Sequence, residues 1–488
     1  MKLKPLFINS CWGYSAVIRG TICLLISCGQ VLAASSIPVA DRTMMNPDKI
    51  QYQPLAFKPP RVEKIHLENG MHLYVLPNKE LPLIQIRAVI RTGSIYDPIG
   101  REGLAELTAT TMRTGGTLGM TGDEVDEALE SMAAVLHVSV NRDSAVFTIS
   151  FLKKDLNPCF EIFSRMLMEP SLEEAKLLMV KDLKIEELRR ILDDPQKLAF
   201  REFGRLMYAD SPWGRLVTRD SVHAIGRDDL VRFHKLFFQP QNVSIAVTGD
   251  IESREAKVLI ERHFGHWKSL DKIPEPPPLP RPQEGKVFFM KKDLPQSIVL
   301  IGWSAPAKKS ARFYPFEVLD FMIGSGGFGS RIFQEIRTNM GLAYSTGSFY
   351  NAKSDHGIFG AYALTKSEST VEVASRIEEI IREMREKTVP PKELERARRS
   401  ITNSFIFSFT SADKIAFQKL MINYEGLPDD YLETYSRKIE EVNVNDIQNQ
   451  AVQRLVPDRA IRLIVGNEEV YKDMVHHYGT VTRMDPTF

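Results

Sequence analysis

Residues 324–350 read GSGGFGSRIFQEIRTNMGLAYSTGSFY. The run opens as a glycine-rich loop, continues as a short amphipathic helix and ends in a strand pattern. Arg337 and Tyr344 lie seven residues apart across Gly341, which is placed to end the helix as its C-cap. An arginine and a tyrosine that meet across such a turn can hold a substrate carbonyl and the negative charge that develops on it. Gly324, Gly326 and Gly329 also match GxGxxG. The nucleotide reading is weak, because that fingerprint needs a strand before the loop and residues 313–323 (FYPFEVLDFMI) read as helix. No P-loop lysine follows.

Taken singly, Arg337 is an ordinary solvated helix residue and Tyr344 an ordinary strand aromatic. Taken whole, the run resembles the C-terminal signature of the M16 peptidases, the family of pitrilysin, insulinase and the mitochondrial processing peptidase. In that signature a Gly-rich loop precedes S-R-L-F-x-E-x-R and G-L-A-Y. The resemblance implies that Arg337 and Tyr344 are the pair that contacts substrate opposite the zinc. It also implies that the loop at Gly326 and Gly327 helps to shape the substrate chamber.

Composition sets the frame. The chain has 488 residues, which favours two domains over one. A hydrophobic fraction of 43% and a charged fraction of 26% are those of a globular protein. A net charge of +1 gives no footprint for nucleic acid or for strong attraction to anionic membranes. Of the four cysteines, Cys11, Cys23 and Cys28 lie at the amino terminus, and Cys159 stands apart as a small buried hydrophobe. No CxxC or zinc-ribbon spacing occurs.

Residues 1–34 read as an export signal, with Lys2, Lys4 and Arg19 ahead of an apolar core that is too short to span a bilayer. Two processing routes fit it. VLA at 31–33 or LAA at 32–34 suits an ordinary signal peptidase, whereas LISC at 25–28 resembles a lipobox that leaves a lipid on Cys28. Either route takes the mature protein out of the cytoplasm, to the periplasm or envelope. Residues 35–60 form a polar lead-in. From residue 62 the pattern turns regular: strands at 62–67 and 71–76 around a Glu68-Asn69-Gly70 hairpin, and a strand at 83–90. Helices follow at 102–112 and 123–134, strands at 136–140 and 144–151, and helices at 156–168, 172–192, 195–208 and 228–237. A strand at 243–247 ends this half. The proline-dense 269–284 reads as a semi-rigid spacer.

Beyond the spacer the pattern repeats. KLAF at 197–200 returns as KIAF at 414–417, and IAVTGD around Gly249 returns as RLIVGN around Gly466, both at an offset of 217 residues. A constant offset marks a duplicated domain. The expected fold is therefore α+β, with two homologous domains at 61–268 and 285–488. Each is a mainly antiparallel sheet with helices packed on one face.

The M16 resemblance also implies an inverted zinc motif, HxxEH, on the helix after G-L-A. Two histidines at i and i+4 would bind zinc and the glutamate between them would act as base, with a later glutamate as third ligand. Here Gly103-Leu104-Ala105 is followed by Glu106 at the first histidine position, Ala109 at the glutamate position and Thr110 at the second histidine position. Glu186 or Glu187 falls at the third-ligand position and reads otherwise as a charged helix face. None of the ten histidines forms HxxEH or HExxH, and the spaced pair His263 and His266 lacks a base and a third ligand. No metal or other cofactor is expected in this chain, which should not hydrolyse peptides by itself.

The resemblance thus implies a noncatalytic subunit of a heterodimeric M16 metallopeptidase. It would supply Arg337 and Tyr344 to a peptide substrate held at the zinc of an HxxEH-bearing partner. A non-enzymatic scaffold, or a protein that binds an extended peptide by strand addition, is the alternative reading. A hydrolase with a relocated metal site is a third.

Overall fold

In the computed structural model, residues 59–209, 211–279 and 284–488 are described. The export signal, Cys11, Cys23, Cys28 and nearly all of the lead-in lie outside them. The described residues belong to one structural unit, 56–488.

Among the described residues there are two six-stranded mixed sheets. The first contains β1 (Glu63–His66), β2 (His72–Pro77), β3 (Leu83–Ile90), β4 (Val135–Val140), β5 (Ala145–Leu152) and β6 (Val243–Gly249), in the order β1-β2-β6-β3-β5-β4. The second contains β7 (Val287–Lys291), β8 (Gln296–Ala305), β9 (Ala343–Ala352), β10 (Gly357–Lys366), β11 (Ile461–Gly466) and β12 (Thr482–Met484), in the order β12-β7-β11-β8-β10-β9. Five strands correspond one to one. In each half a parallel pair (β2 with β6, β7 with β11) is followed by antiparallel neighbours out to β4 or β9. The halves differ at one edge, where β1 is a hairpin partner of β2 and β12 is a short parallel strand from the carboxyl terminus.

The helices of the first half are α1 (Leu104–Thr114), α2 (Gly122–Ser131), α3 (Leu156–Met168), α4 (Glu174–Asp193), α5 (Pro195–Tyr208), α6 (Arg219–Ala224), α7 (Arg227–Phe237) and α8 (Ser253–Phe264). Those of the second are α9 (Phe313–Asp320), α10 (Thr370–Glu386), α11 (Pro391–Phe405), α12 (Ala412–Tyr424), α13 (Tyr431–Glu440), α14 (Val444–Arg454) and α15 (Glu468–Tyr478). Most cover one face of their own sheet, as the pattern predicts. Two do not. α5 leaves the first half and packs on β8 and β11, while α12 leaves the second half and packs on β6 and β2. KLAF and KIAF are therefore the buried faces of two reciprocally exchanged helices. Leu198 and Ala199 meet Leu300 and Leu463 in one core, and Ile415 and Ala416 share another with Tyr74 and Val89.

The exchange explains why β8 (QSIVLIGWSA) is buried along nearly its whole length. Val299 and Ile301 face the second half's own helices, while Ile298 and Leu300 face α5. A strand covered on both faces reads as a continuous apolar run and not as an alternation. The closest approach is at Gly302, where a Cβ would meet the Phe203 ring at 2.3 Å, so the helix can sit down only on a residue without a side chain. Each exchanged helix starts with its own cap. Asp194 accepts from the Gln196 and Lys197 N–H groups ahead of Pro195, and Ser411 accepts from that of Lys414.

Polar contacts lock the exchange. The Arg87 Nε donates to Asp413 Oδ1 at 2.7 Å, and its guanidinium lies 4.7 Å from the Phe417 ring. Arg91 stacks on Tyr424 at 4.3 Å and donates to its carbonyl at 2.8 Å. On α5 the buried Glu202 carboxylate accepts from Arg205 at 2.7 Å and from the Thr487 N–H at 2.7 Å, which pins the carboxyl-terminal residues to the first half.

Because each sheet is finished by a helix from the other half, the halves should unfold together. Phe203→Ala is expected to lower stability by about 3–5 kcal/mol. Urea unfolding followed by circular dichroism and by tryptophan fluorescence should keep a single, coincident transition in this variant. Two separated transitions would show that the halves are independent.

Candidate functional site

The zinc-motif positions lie on α1, whose start is built by a residue that the sequence pattern did not single out. The buried Asp97 carboxylate accepts from the Gly103 N–H at 2.7 Å and the Ala105 N–H at 2.8 Å, capping the helix end. Burial pushes this carboxyl up to about 7, against the pull of those two donors. Gly103 takes a left-handed conformation, φ 103°, to turn the chain into the helix.

Glu106 and Thr110 then sit one turn apart on one face of α1, both half-buried, while Ala109 is buried in the core. Opposite them runs α4. Its Lys184 ammonium donates to Glu106 at 2.8 Å and to Glu187 Oε2 at 3.0 Å. The Lys184 side chain is 11% exposed. Burial alone would lower its pKa, but the two carboxylates outweigh burial and hold it above the usual lysine value. Of the two candidates for the third-ligand position, Glu187 joins this cluster, and Glu186 turns outward to pair with Arg189 on its own helix. The sequence showed the carboxylates but not the lysine between them, since Lys184 is 78 residues from Glu106 along the chain.

These side chains do not fit a catalytic zinc. The motif positions offer one carboxylate, a methyl group and a hydroxyl in place of two imidazoles and a base, and the carboxylates are already bridged by an ammonium. Among the described residues no group of three or more His, Cys, Asp or Glu side chains is arranged to hold a metal ion. His263 sits against the Phe160 ring, 5.9 Å away, and its Nε2 is buried without a partner.

The second cluster is on the other half. Between α9 and β9 the chain makes a π-helical turn at Phe321–Ser325, a 3₁₀ turn at Gly327–Gly329 and a second π-helical segment at Phe333–Asn339. The sequence pattern predicted an α-helix over this last segment. In place of it the Met340 N–H reaches back five residues to the Glu335 carbonyl at 3.0 Å. The loop packs closely on β9: a Cβ on Gly324 would meet the Ser348 nitrogen at 2.3 Å. This glycine is where the loop crosses β9. Gly341 takes φ 66° and ends the segment as expected of a C-cap.

This route brings Arg337 and Tyr344 together, with the guanidinium 5.6 Å from the Tyr344 ring and 4.9 Å from the Phe333 ring. Phe333 in turn packs edge-on against Phe328, with centroids 4.8 Å apart. Tyr344 is 81% exposed and Phe328 75% exposed. Neither the Arg337 guanidinium nor the Tyr344 hydroxyl makes a hydrogen bond or ion pair with the described residues. The segment beneath them is anchored, because Arg331 forks onto Glu393 of α11 at 3.0 and 2.8 Å. The result is an outward-facing set of donors beside a pair of rings packed edge to face. The two phenylalanines extend the surface, and sequence reading passed over them because each alone looks like core.

Lys184→Met should leave Glu106 and Glu187 without their shared cation and cost about 1 kcal/mol in urea unfolding, since both carboxylates stay partly in water. Adding Glu106→Gln should recover part of that loss. No loss in the single variant would show that the bridge is a solvent-screened contact.

A family model described as Insulinase (Peptidase family M16) matches residues 75–220, and one described as Peptidase M16 inactive domain matches residues 224–401. A Rickettsia bellii protein named as an uncharacterized zinc protease is 25% identical over 355 residues, covering 72% of this chain and 84% of its own length. The crystal structure of a peptidase M16 inactive domain from Pseudomonas fluorescens has a TM-score of 0.75 at 22% identity, covering 84% of this chain and 98% of its own. A protease from Helicobacter pylori has a TM-score of 0.77 at 20% identity, covering 84% of this chain and 100% of its own. The two structures share the fold. With both halves matched in order by models of one family, the chain belongs to the M16 peptidase family.

Proposed function

We propose that the protein is the noncatalytic, substrate-binding subunit of a heterodimeric M16 zinc metallopeptidase. The observation that carries this reading is a division within the chain. On α1 and α4 the zinc-motif positions are closed by the Glu106–Lys184–Glu187 bridge, while Arg337 and Tyr344 stay stacked, exposed and without polar partners. A partner that carries HxxEH supplies the zinc and its activated water. This chain supplies Arg337, which holds the peptide backbone, and Tyr344, which donates a hydrogen bond to the oxyanion of the tetrahedral intermediate. The loop at Gly326 and Gly327 borders the peptide. Export through residues 1–34, with either cleavage near Ala33 or a lipid on Cys28, places the pair in the periplasm or envelope.

Tyr344→Phe keeps the ring and its stacking on Arg337 but removes the donor. In a reconstituted pair with an HxxEH-bearing M16 subunit, peptide turnover should fall by about a hundred- to a thousandfold, with assembly unchanged by gel filtration. Unchanged turnover would remove the assigned role and favour a scaffold or peptide-binding protein.

A further inference from the structure

Behind the glycine-rich loop the second half encloses a cleft of about 640 Å³ between α9, β9, α11, α12 and α13. Its size is that of a small-molecule site. Two carboxylates one helical turn apart on α9, Glu317 and Asp320, form one wall. The facing walls are aromatic: Tyr350 from β9, Phe405 from α11, and Tyr431 and Tyr435 from α13. Phe405 and Tyr435 are stacked, with ring centroids 4.1 Å apart.

Neither carboxylate is ion-paired among the described residues, although Lys308 lies near enough to favour the charged form of Glu317. Glu317 Oε1 accepts from the Tyr435 hydroxyl at 2.6 Å, but Oε2 is cut off from solvent and has no hydrogen-bond partner. Asp320 Oδ1 accepts from the Ser348 hydroxyl at 2.5 Å, and Ser325 also hydrogen-bonds this carboxyl. The cation lining the cleft, Lys308, is held by Glu425 at 2.8 Å. Burial pushes Glu317 up to about 7 and Asp320 up to about 6, and burial also holds the tyrosines above their usual value, hence neutral. A carboxylate set among aromatic rings without an ion-paired cation is costly in its charged form unless something positive lies beside it.

We infer that this cleft is a binding site for a small organic cation, an alkylammonium or guanidinium group on an aliphatic stem, which ion-pairs with Glu317 and Asp320 while the tyrosine and phenylalanine rings cover its stem. The aromatic faces attract such a group through their quadrupoles. A bare divalent ion is a poorer match, because it needs six or more oxygen ligands and the remaining walls are rings. The site is independent of the Arg337–Tyr344 surface and of the function proposed for it.

The test is isothermal titration calorimetry of the full chain with two probes. Cadaverine represents a free diamine, and N-acetyl-lysine amide represents a peptide side chain. Saturable one-to-one binding of either supports the site and tells which source of the cation fits, while 1-pentanol should not compete. Because the bound cation favours the carboxylate form of Glu317, binding at pH 7 should release a fraction of a proton per site, seen as a heat that varies with the ionisation enthalpy of the buffer. Glu317→Gln keeps an acceptor for Tyr435 and should weaken binding by about tenfold or more, in keeping with the strength of charge-assisted hydrogen bonds. Its melting temperature should not fall, since an uncompensated charge is removed. If that variant does not fold, Asp320→Asn and the cleft-filling Ser404→Phe serve in its place. Failure of both probes to saturate, or wild-type binding by every folded variant, would overturn the proposal.

Discussion

The fold depends on an exchange. Neither half finishes its own sheet: α5 covers β8 and β11 of the second half, and α12 covers β6 and β2 of the first. The tightest point is the Phe203 ring over Gly302. Burying rings and aliphatic side chains on both sheet faces is the main driving force, and the ion pair between Arg87 and Asp413 sets the registration of α12. The exchange also ties together the two halves that carry the Lys184 cluster and the Arg337–Tyr344 pair. Any joint use of the two rests on this packing.

Against that frame of two similar halves, the chemistry is asymmetric. In the first half an ammonium stands between the carboxylates at two metal-ligand positions of the family motif. Lys184 is a single monovalent charge with three donors, enough to hold α1 against α4, and it neither polarises water nor leaves an open coordination position. Ala109 leaves no base on the same helix. In the second half the π-helical turns and the left-handed Gly341 hold Arg337 and Tyr344 outward. Segments of this kind are uncommon and recur where a side chain must be aimed. Stability is served in one half and presentation in the other.

Much of this was legible in the residues, for identifiable reasons. The hairpin at Glu68-Asn69-Gly70, the alternation in β3 and the long amphipathic helices follow local rules, and their positions agree with the structure to within a few residues. The constant offset of 217 residues pointed to duplication, and the matched strands β2–β6 and β7–β11 repeat the same order. What sequence could not carry was long-range. The exchange of α5 and α12 leaves no local signature, because a helix face packed on a foreign sheet looks like any apolar stripe. Lys184 was hidden for the same reason, and Glu186 and Glu187 could be told apart only once α4 was set against α1. The π-helical segments carry the same apolar spacing as an ordinary helix, and the close approach of Gly324 to Ser348 is a long-range contact that composition does not show. The cleft behind the loop needed α9, α11 and α13 to be assembled before Glu317 and Asp320 could be seen among its aromatic walls.

The central claim is that this chain contributes to a peptidase without carrying its metal. The most direct measurement is the zinc content of the protein purified from its own cells, first within any stoichiometric complex and then after separation of the subunits. The account predicts one zinc per pair, all of it on a partner that bears HxxEH, and none retained by this chain. Stoichiometric zinc on the isolated chain, with peptide hydrolysis that follows it, would contradict the account.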